Sequence, residues 1–125
     1  MKKIINTYKA PAAIGPYSQA ILANNTLYCS GQIAIDPEDG LIKNKNIEEE
    51  VNMIMKNITE ILNEANMKLS NIVKCSIFMR DMNNYAEINK IYSNYFITNP
   101  PAREAIEVSR LPKDVNIEIS IIAIK

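Results

Sequence analysis

NIVKCSIFMR, residues 71–80, decides the fold. Val73, Cys75, Ile77 and Met79 alternate with Ile72, Lys74, Ser76 and Phe78, the period-two pattern of a strand. The flanking stretches have a different period. Upstream, Val51, Ile54, Ile58, Ile61 and Ala65 recur every three or four residues and predict a helix over 47–65. Asn46 with Glu49 three residues on resembles a capping box, and Glu48, Glu49 and Glu50 suit the positive end of that helix. Downstream, Tyr85, Ile88, Ile91, Tyr92 and Tyr95 predict a second helix over 84–97, with Asn83 or Asn84 as its cap and Pro100-Pro101 just past its end. A strand set between two helices needs crossover connections, and right-handed crossovers put both helices on one face of one sheet.

The rest of the chain supplies further strands. Residues 19–23 and 27–33 flank Asn24-Asn25, a pair suited to a tight hairpin turn. Asp36-Pro37 and Asp39-Gly40 mark turns. After Pro100-Pro101 a strand runs over 103–108, followed by a turn at Leu111-Pro112-Lys113-Asp114 and a last strand over 115–124. With the short strand candidates of the first third, the order is β-β-β-α-β-α-β-β: an α+β fold expected to form one domain over 1–125. On the last two strands Arg103, Ala105 and Glu107 alternate with Glu104, Ile106 and Val108, and Asn116, Glu118 and Ser120 with Ile117, Ile119 and Ile121. The apolar rows suit the helix side, which leaves Arg103 and Glu118 together on a mixed second face. The tail Ile121-Ile122-Ala123-Ile124 is apolar on both sides, more than a half-exposed sheet needs. A partner chain is therefore expected to cover part of that second face.

Bulk properties narrow the function classes. The 125 residues are 47% hydrophobic and 22% charged, an ordinary globular balance. Fourteen Lys+Arg against fourteen Asp+Glu leave no basic excess, which argues against a nucleic-acid binder. No apolar run reaches the length of a membrane span. The basic start MKKIINTYKAP lacks the apolar core of a secretory signal. Cys29 and Cys75 form no Cys-x-x-Cys pair, and a reduced cytoplasmic chain is the simplest reading. The chain has no histidine. That removes Ser-His-Asp and Cys-His catalysis and most catalytic zinc sites. Acid–base chemistry must come from Glu, Asp, Tyr, Lys, Cys or water.

Arg103 and Glu118 are the candidates for chemistry. An arginine can hold a carboxylate through two parallel hydrogen bonds, and a glutamate nearby can position or deprotonate a water. Spacing alone equally allows, and favours, a plain cross-strand salt bridge. Tyr17 follows the turn signal Gly15-Pro16 and either presents its ring from a loop or packs with its hydroxyl on a backbone group. Ser30-Gly31-Gln32 closes a strand, where Gly31 marks a bulge or a close approach of ligand to backbone. Cys29 and Cys75 read as inert buried thiols, Tyr85, Tyr92 and Tyr95 as helix core, and Arg110 and Lys113 as a solvated turn.

Taken in order, APAAIGPYSQA (10–20), SGQIAIDPEDG (30–40), NPPAREAIEV (99–108) and RLPKDVNIEISIIAI (110–124) resemble the RidA or YjgF-type family of reactive intermediate deaminases, over nearly the whole chain. The resemblance implies a chorismate-mutase-like α+β sandwich and a homotrimer with three sites in clefts between subunits. It implies hydrolysis of 2-enamino and 2-imino acids, released by pyridoxal-phosphate enzymes, to 2-oxo acids and ammonia, with no cofactor or metal. The family's carboxylate-binding arginine falls on Arg103 in Pro-Ala-Arg and its water-positioning glutamate on Glu118 in Ile-Glu-Ile. Its site tyrosine falls on Tyr17 in Gly-Pro-Tyr, and its substrate-contacting glycine on Gly31 in Ser-Gly-Gln, beside Ser30. Two positions depart: Ala105 stands where many bacterial members have cysteine, and Glu104 replaces a small residue. The rival functions are a non-enzymatic binder of small carboxylates or regulatory subunit, and a ribonuclease or translation inhibitor.

Overall fold

The computed structural model describes residues 1–125. Its strands are β1 (Lys2–Ile5), β2 (Ala20–Ala23), β3 (Thr26–Gln32), β4 (Ile72–Met79), β5 (Ala102–Glu107) and β6 (Ile117–Ile124). Its helices are α1 (Ile47–Glu64) and α2 (Tyr85–Ser93). The expected element order holds, with the N-terminal residues forming the first strand. All six strands join one mixed sheet in the order β1-β2-β3-β6-β4-β5. β4 and β5 pair in parallel across α2, and every other pairing is antiparallel. The β2–β3 hairpin turns through Asn24-Asn25, where Asn24 takes a left-handed φ of 55° that asparagine tolerates.

Registered partners put their side chains on the same side of a sheet, so the pairing sorts the residues into two faces. One row crosses the whole sheet as Ile5, Ala20, Cys29, Ile121, Cys75 and Arg103. This is the helix side, and all but Arg103 in that row are buried. The next row, Ile4, Ile21, Tyr28, Ile122, Lys74 and Ala102, lies on the face without helices. Between sheet and helices sits a core of 25 residues in which Ile54, Ile58, Ile61 and Leu62 of α1 meet Ile77, Ile117 and Ile119 of the sheet. Each such side chain contributes roughly 1.5–3 kcal/mol on burial.

Three local expectations need correction. Ile72 is buried and Val73 exposed, the reverse of strict alternation, because the β4–β6 register shifts between Ile72 and Lys74. α2 is shorter than its tyrosine pattern, ending at Ser93, whose hydroxyl bonds the Lys90 carbonyl. It is entered through a 3₁₀ turn over Met82–Asn84 capped by Asp81, which accepts from the Asn83 N–H at 2.9 Å; Asn84 stands at the N-cap position of α2, as expected, but its side chain makes no capping bond. At α1 half of the capping box forms. Asn46 Oδ1 accepts the Glu49 N–H at 2.8 Å, without the reciprocal bond from Glu49.

Two polar residues on the inner stripe of α1 are fully buried. Asn57 donates to the Ile35 carbonyl at 2.8 Å, tying α1 to the segment after β3. Glu50 reaches the start of β6. Both fall at three- and four-residue steps from Ile54 and Ile61, a signal hidden when only apolar positions are counted. No helix is long and apolar enough to cross a membrane. Asn46→Ala removes an N-cap acceptor and is expected to cost about 1 kcal/mol, read as a lower urea midpoint at unchanged slope.

Candidate functional site

Arg103 does not share a face with Glu118. The expectation that alternation puts both on the second face is overturned by the parallel register, which sets Arg103 opposite Cys75 on the helix side and Glu104 opposite Ser76 on the other. Alternation divides a strand into two rows but does not say which row meets the helices, and both rows of edge strand β5 are mixed in character. Ile106, expected beneath the helices, is 44% exposed on the open face. Arg103 and Glu118 therefore form no cross-strand pair.

Arg103 lies under α2. Its Nη1 donates to Asn89 Oδ1 at 2.7 Å and its Nη2 to the Tyr85 hydroxyl at 3.0 Å. The guanidinium carbon stands 5.0 Å from the Tyr92 ring centroid and 5.7 Å from that of Tyr85, within cation–π range. Tyr85, Asn89 and Tyr92 are spaced by four and three residues and form one stripe of α2. These partners are neutral, and no carboxylate lies within ion-pair distance of Arg103. The neighbouring Glu104 is spent on Lys74 at 2.9 Å and on the Ser76 hydroxyl. A half-buried guanidinium with its orientation fixed and no carboxylate beside it has the chemistry to receive an anion. Tyr92 is helix core as expected and also turns its ring to Arg103, whereas Tyr85, expected as core, is exposed and accepts from the guanidinium through its hydroxyl. Hydrogen bonding to Asn89, with the charge of Arg103 behind it, lowers the Tyr85 phenol below its usual range, while burial raises that of Tyr92.

Glu118 and Gly31 meet on the open face. The β3–β6 register shifts between Cys29 and Gln32, so Ser30 and Gly31 form a bulge. A Cβ at Gly31 would lie 2.7 Å from Glu118 Cδ and overlap the carboxylate. Here the glycine is required for space. Glu118 also lies in a row with Phe78 and Ile106, and burial raises its carboxyl above the ordinary glutamate value. Ser30 donates to the Ser18 carbonyl at 2.6 Å, and its N–H to the Gln19 carbonyl at 2.9 Å. Ser30 thus anchors the loop that presents Tyr17, a residue 51% exposed that lines a cavity of ≈ 530 Å³ with Ile14, Gln32 and Lys113. Within one chain, Gly31 and Glu118 are brought together, Ser30 fixes the Tyr17 loop, and Arg103 stands apart on the other face. Cys29 and Cys75 are buried free thiols, both raised by desolvation, Cys29 to about 12, which keeps them protonated and unreactive. No cluster of His, Cys, Asp and Glu side chains suited to a metal ion occurs.

The family described as Endoribonuclease L-PSP matches residues 7–125. The chain belongs to this YjgF/RidA-type family. A RutC family protein of Pyrococcus abyssi is 49% identical over 124 residues, covering 99% of this chain and 98% of that protein. The human 2-iminobutanoate/2-iminopropanoate deaminase is 44% identical over 125 residues, covering 100% of this chain and 91% of that protein. Among solved structures, a protein of unknown function of the conserved Rid family, YyfA from Yersinia pestis, superposes with a TM-score of 0.97 at 45% identity over the full length of both chains. The six-stranded sheet with two helices is thus the fold of YjgF/RidA-type proteins.

Two outcomes follow from the Glu118 environment. Gly31→Ala leaves the fold intact, because only the flexible end of Glu118 obstructs the new methyl, but displaces the carboxylate. Any turnover that depends on Glu118 falls by about 10- to 100-fold, measured as kcat on protein with a wild-type circular dichroism spectrum. Because the folded-state pKa of Glu118 is raised, the folded protein binds that proton more tightly than the unfolded chain, and stability falls as pH rises through the window between the two values. Glu118→Gln is expected to raise the urea midpoint at pH 7, an advantage that vanishes below the carboxylate range.

Proposed function

We propose that this protein hydrolyses small 2-imino and 2-enamino acids to 2-oxo acids and ammonia, at sites shared between neighbouring chains of a homotrimer. The observation that carries the reading is the Arg103 guanidinium, held by Asn89 and Tyr85 and by no carboxylate of its own chain. It offers a fork to a substrate carboxylate. The named deaminase activity of the human relative supports the same chemistry.

The separation of Arg103 and Glu118 onto opposite faces supports a shared site. β4 lies between their strands, so one small substrate can reach both only if they come from two chains. The open face carries Ile4, Tyr28 and Ile106 exposed, apolar surface suited to a second copy. In the proposed cleft, Arg103 of one protomer grips the carboxylate and fixes the adjacent imine carbon. Glu118 of the next aligns a water with that carbon. The water oxygen forms the new C–O bond, and the C=N electron pair moves to nitrogen, which gains a proton through Glu118. The carbinolamine then breaks its C–N bond. Ammonia leaves with a second proton passed from the hydroxyl, which becomes the 2-oxo group. Tyr17 walls the cleft or donates a hydrogen bond. Such acid–base assistance typically supplies about 10²–10⁴-fold, sufficient for imines that already react with water. Substrates of this kind arise from pyridoxal-phosphate enzymes that eliminate from amino acids.

Arg103→Ala is expected to lose about 2–5 kcal/mol in kcat/KM on 2-iminopropanoate generated in the assay, with Arg103→Lys retaining part through its charge. Undiminished activity in Arg103→Ala overturns the assignment. Mixing unfolded Arg103→Ala and Glu118→Gln chains and refolding them together is expected to restore on the order of a quarter of the sites, one intact cleft in each hybrid trimer. No recovery, or a monomer by light scattering, excludes the shared site.

A further inference from the structure

Glu50 carries a carboxylate with no exposure to solvent and no cation within ion-pair distance. A buried anion persists only where donors compensate it, and all the donors here come from the start of β6. Oε2 accepts the backbone N–H of Asn116 at 2.9 Å and of Ile117 at 3.1 Å, and Oε1 accepts Asn116 Nδ2 at 2.9 Å. Glu50 sits in the first turn of α1, where the helix dipole also favours a negative charge. A carboxylate serving only that dipole would face water, as Glu48 does.

The place it clamps is one that the chain does not define by itself. Lys113 and Asp114 enter β6 with successive left-handed φ values of 56° and 55°, a strained conformation for non-glycine residues. Two residues after them comes Asn116, and two residues further on is Glu118. Asn116 is held from its other side by the Arg80 N–H, which donates to its carbonyl at 3.0 Å. The clamp therefore fixes the position from which Glu118 projects against Gly31, where the space for its carboxylate is closely bounded.

We propose that Glu50 is a positioning residue for the reaction: through Asn116 and Ile117 it sets the location of the Glu118 carboxylate. This rests on the water-aligning role of Glu118 proposed above. Glu50 lies below the sheet on the helix side and touches no substrate. It governs turnover and leaves substrate affinity, which resides in Arg103, unchanged.

The test measures kcat and KM on 2-iminopropanoate, per folded protein, for Glu50→Ala, Glu50→Gln, Asn116→Ala and Glu118→Gln, and for Glu50→Ala combined with Glu118→Gln. Glu50→Ala is expected to lower kcat by about 10- to 100-fold with KM within about twofold. Glu50→Gln is expected to retain most of kcat, because one amide oxygen still accepts both backbone N–H groups and the Asn116 amide can rotate to accept from the other end. Glu50→Ala is expected to add nothing to the loss already caused by Glu118→Gln. Wild-type kcat in Glu50→Ala, even with a lowered melting temperature, overturns the proposal, as do losses that multiply in the double variant. Where Glu50→Ala does not fold, Asn116→Ala decides: a lowered kcat at constant KM supports the clamp and an unchanged kcat overturns it. Failure of the underlying reading appears separately, as full activity in Glu118→Gln alone, and takes the clamp's catalytic role with it.

Discussion

Parallel pairing of β5 with β4 is the constraint on which the site depends. It sets Cys75 against Arg103 and Ser76 against Glu104, and the side of every residue on the edge strand follows. Arg103 goes under α2, where two aromatic rings and two neutral oxygen atoms receive it. Glu104 goes to the open face, where Lys74 and Ser76 occupy its charge. A shift of one residue would exchange the two. The carboxylate would then face the aromatic cradle, and the guanidinium would stand beside Lys74.

The open face has a logic of its own. The bulge at Ser30-Gly31 removes a side chain where Glu118 needs room, and the same bulge lets Ser30 hold the loop that carries Tyr17. Burial beside Gly31, in a row with Phe78 and Ile106, raises the Glu118 carboxyl. A carboxyl perturbed in this way suits the acid–base role proposed for Glu118. Glu50 answers it from the opposite face. Glu50 spends its oxygens on holding the strand, while the half-buried Glu118 carboxylate stands against Gly31.

Stability and the proposed chemistry draw on different residues of the same strand. In β6, Ile117, Ile119 and Ile121 are buried against the helices, while Glu118 and Ser120 between them lie on the open face. The apolar row binds the strand to the core, and the polar row lies outside it. Glu104 and Ala105, the two positions expected to depart from the family pattern, divide in the same way. Ala105 lies on the helix side opposite Ile77, and Glu104 joins the polar cluster with Ser76 and Lys74.

The amino-acid sequence alone determined the element order, the long amphipathic helix with its Asn46 cap, the hairpin at Asn24-Asn25 and the inward row of β6, because periodicity and turn chemistry are local properties of the chain. It also singled out Arg103, Glu118, Tyr17, Ser30 and Gly31, through residue types and the company they keep in short motifs. Only the tertiary structure decided which face each row of β5 occupies, since alternation has two solutions and the choice is made by pairing with β4 and by the placement of α2. It likewise revealed the cradle of Tyr85, Asn89 and Tyr92 and the Glu50 clamp. Those contacts join residues 11 to 67 positions apart, and a polar group on an apolar stripe cannot name its partner until folding brings that partner within hydrogen-bond reach.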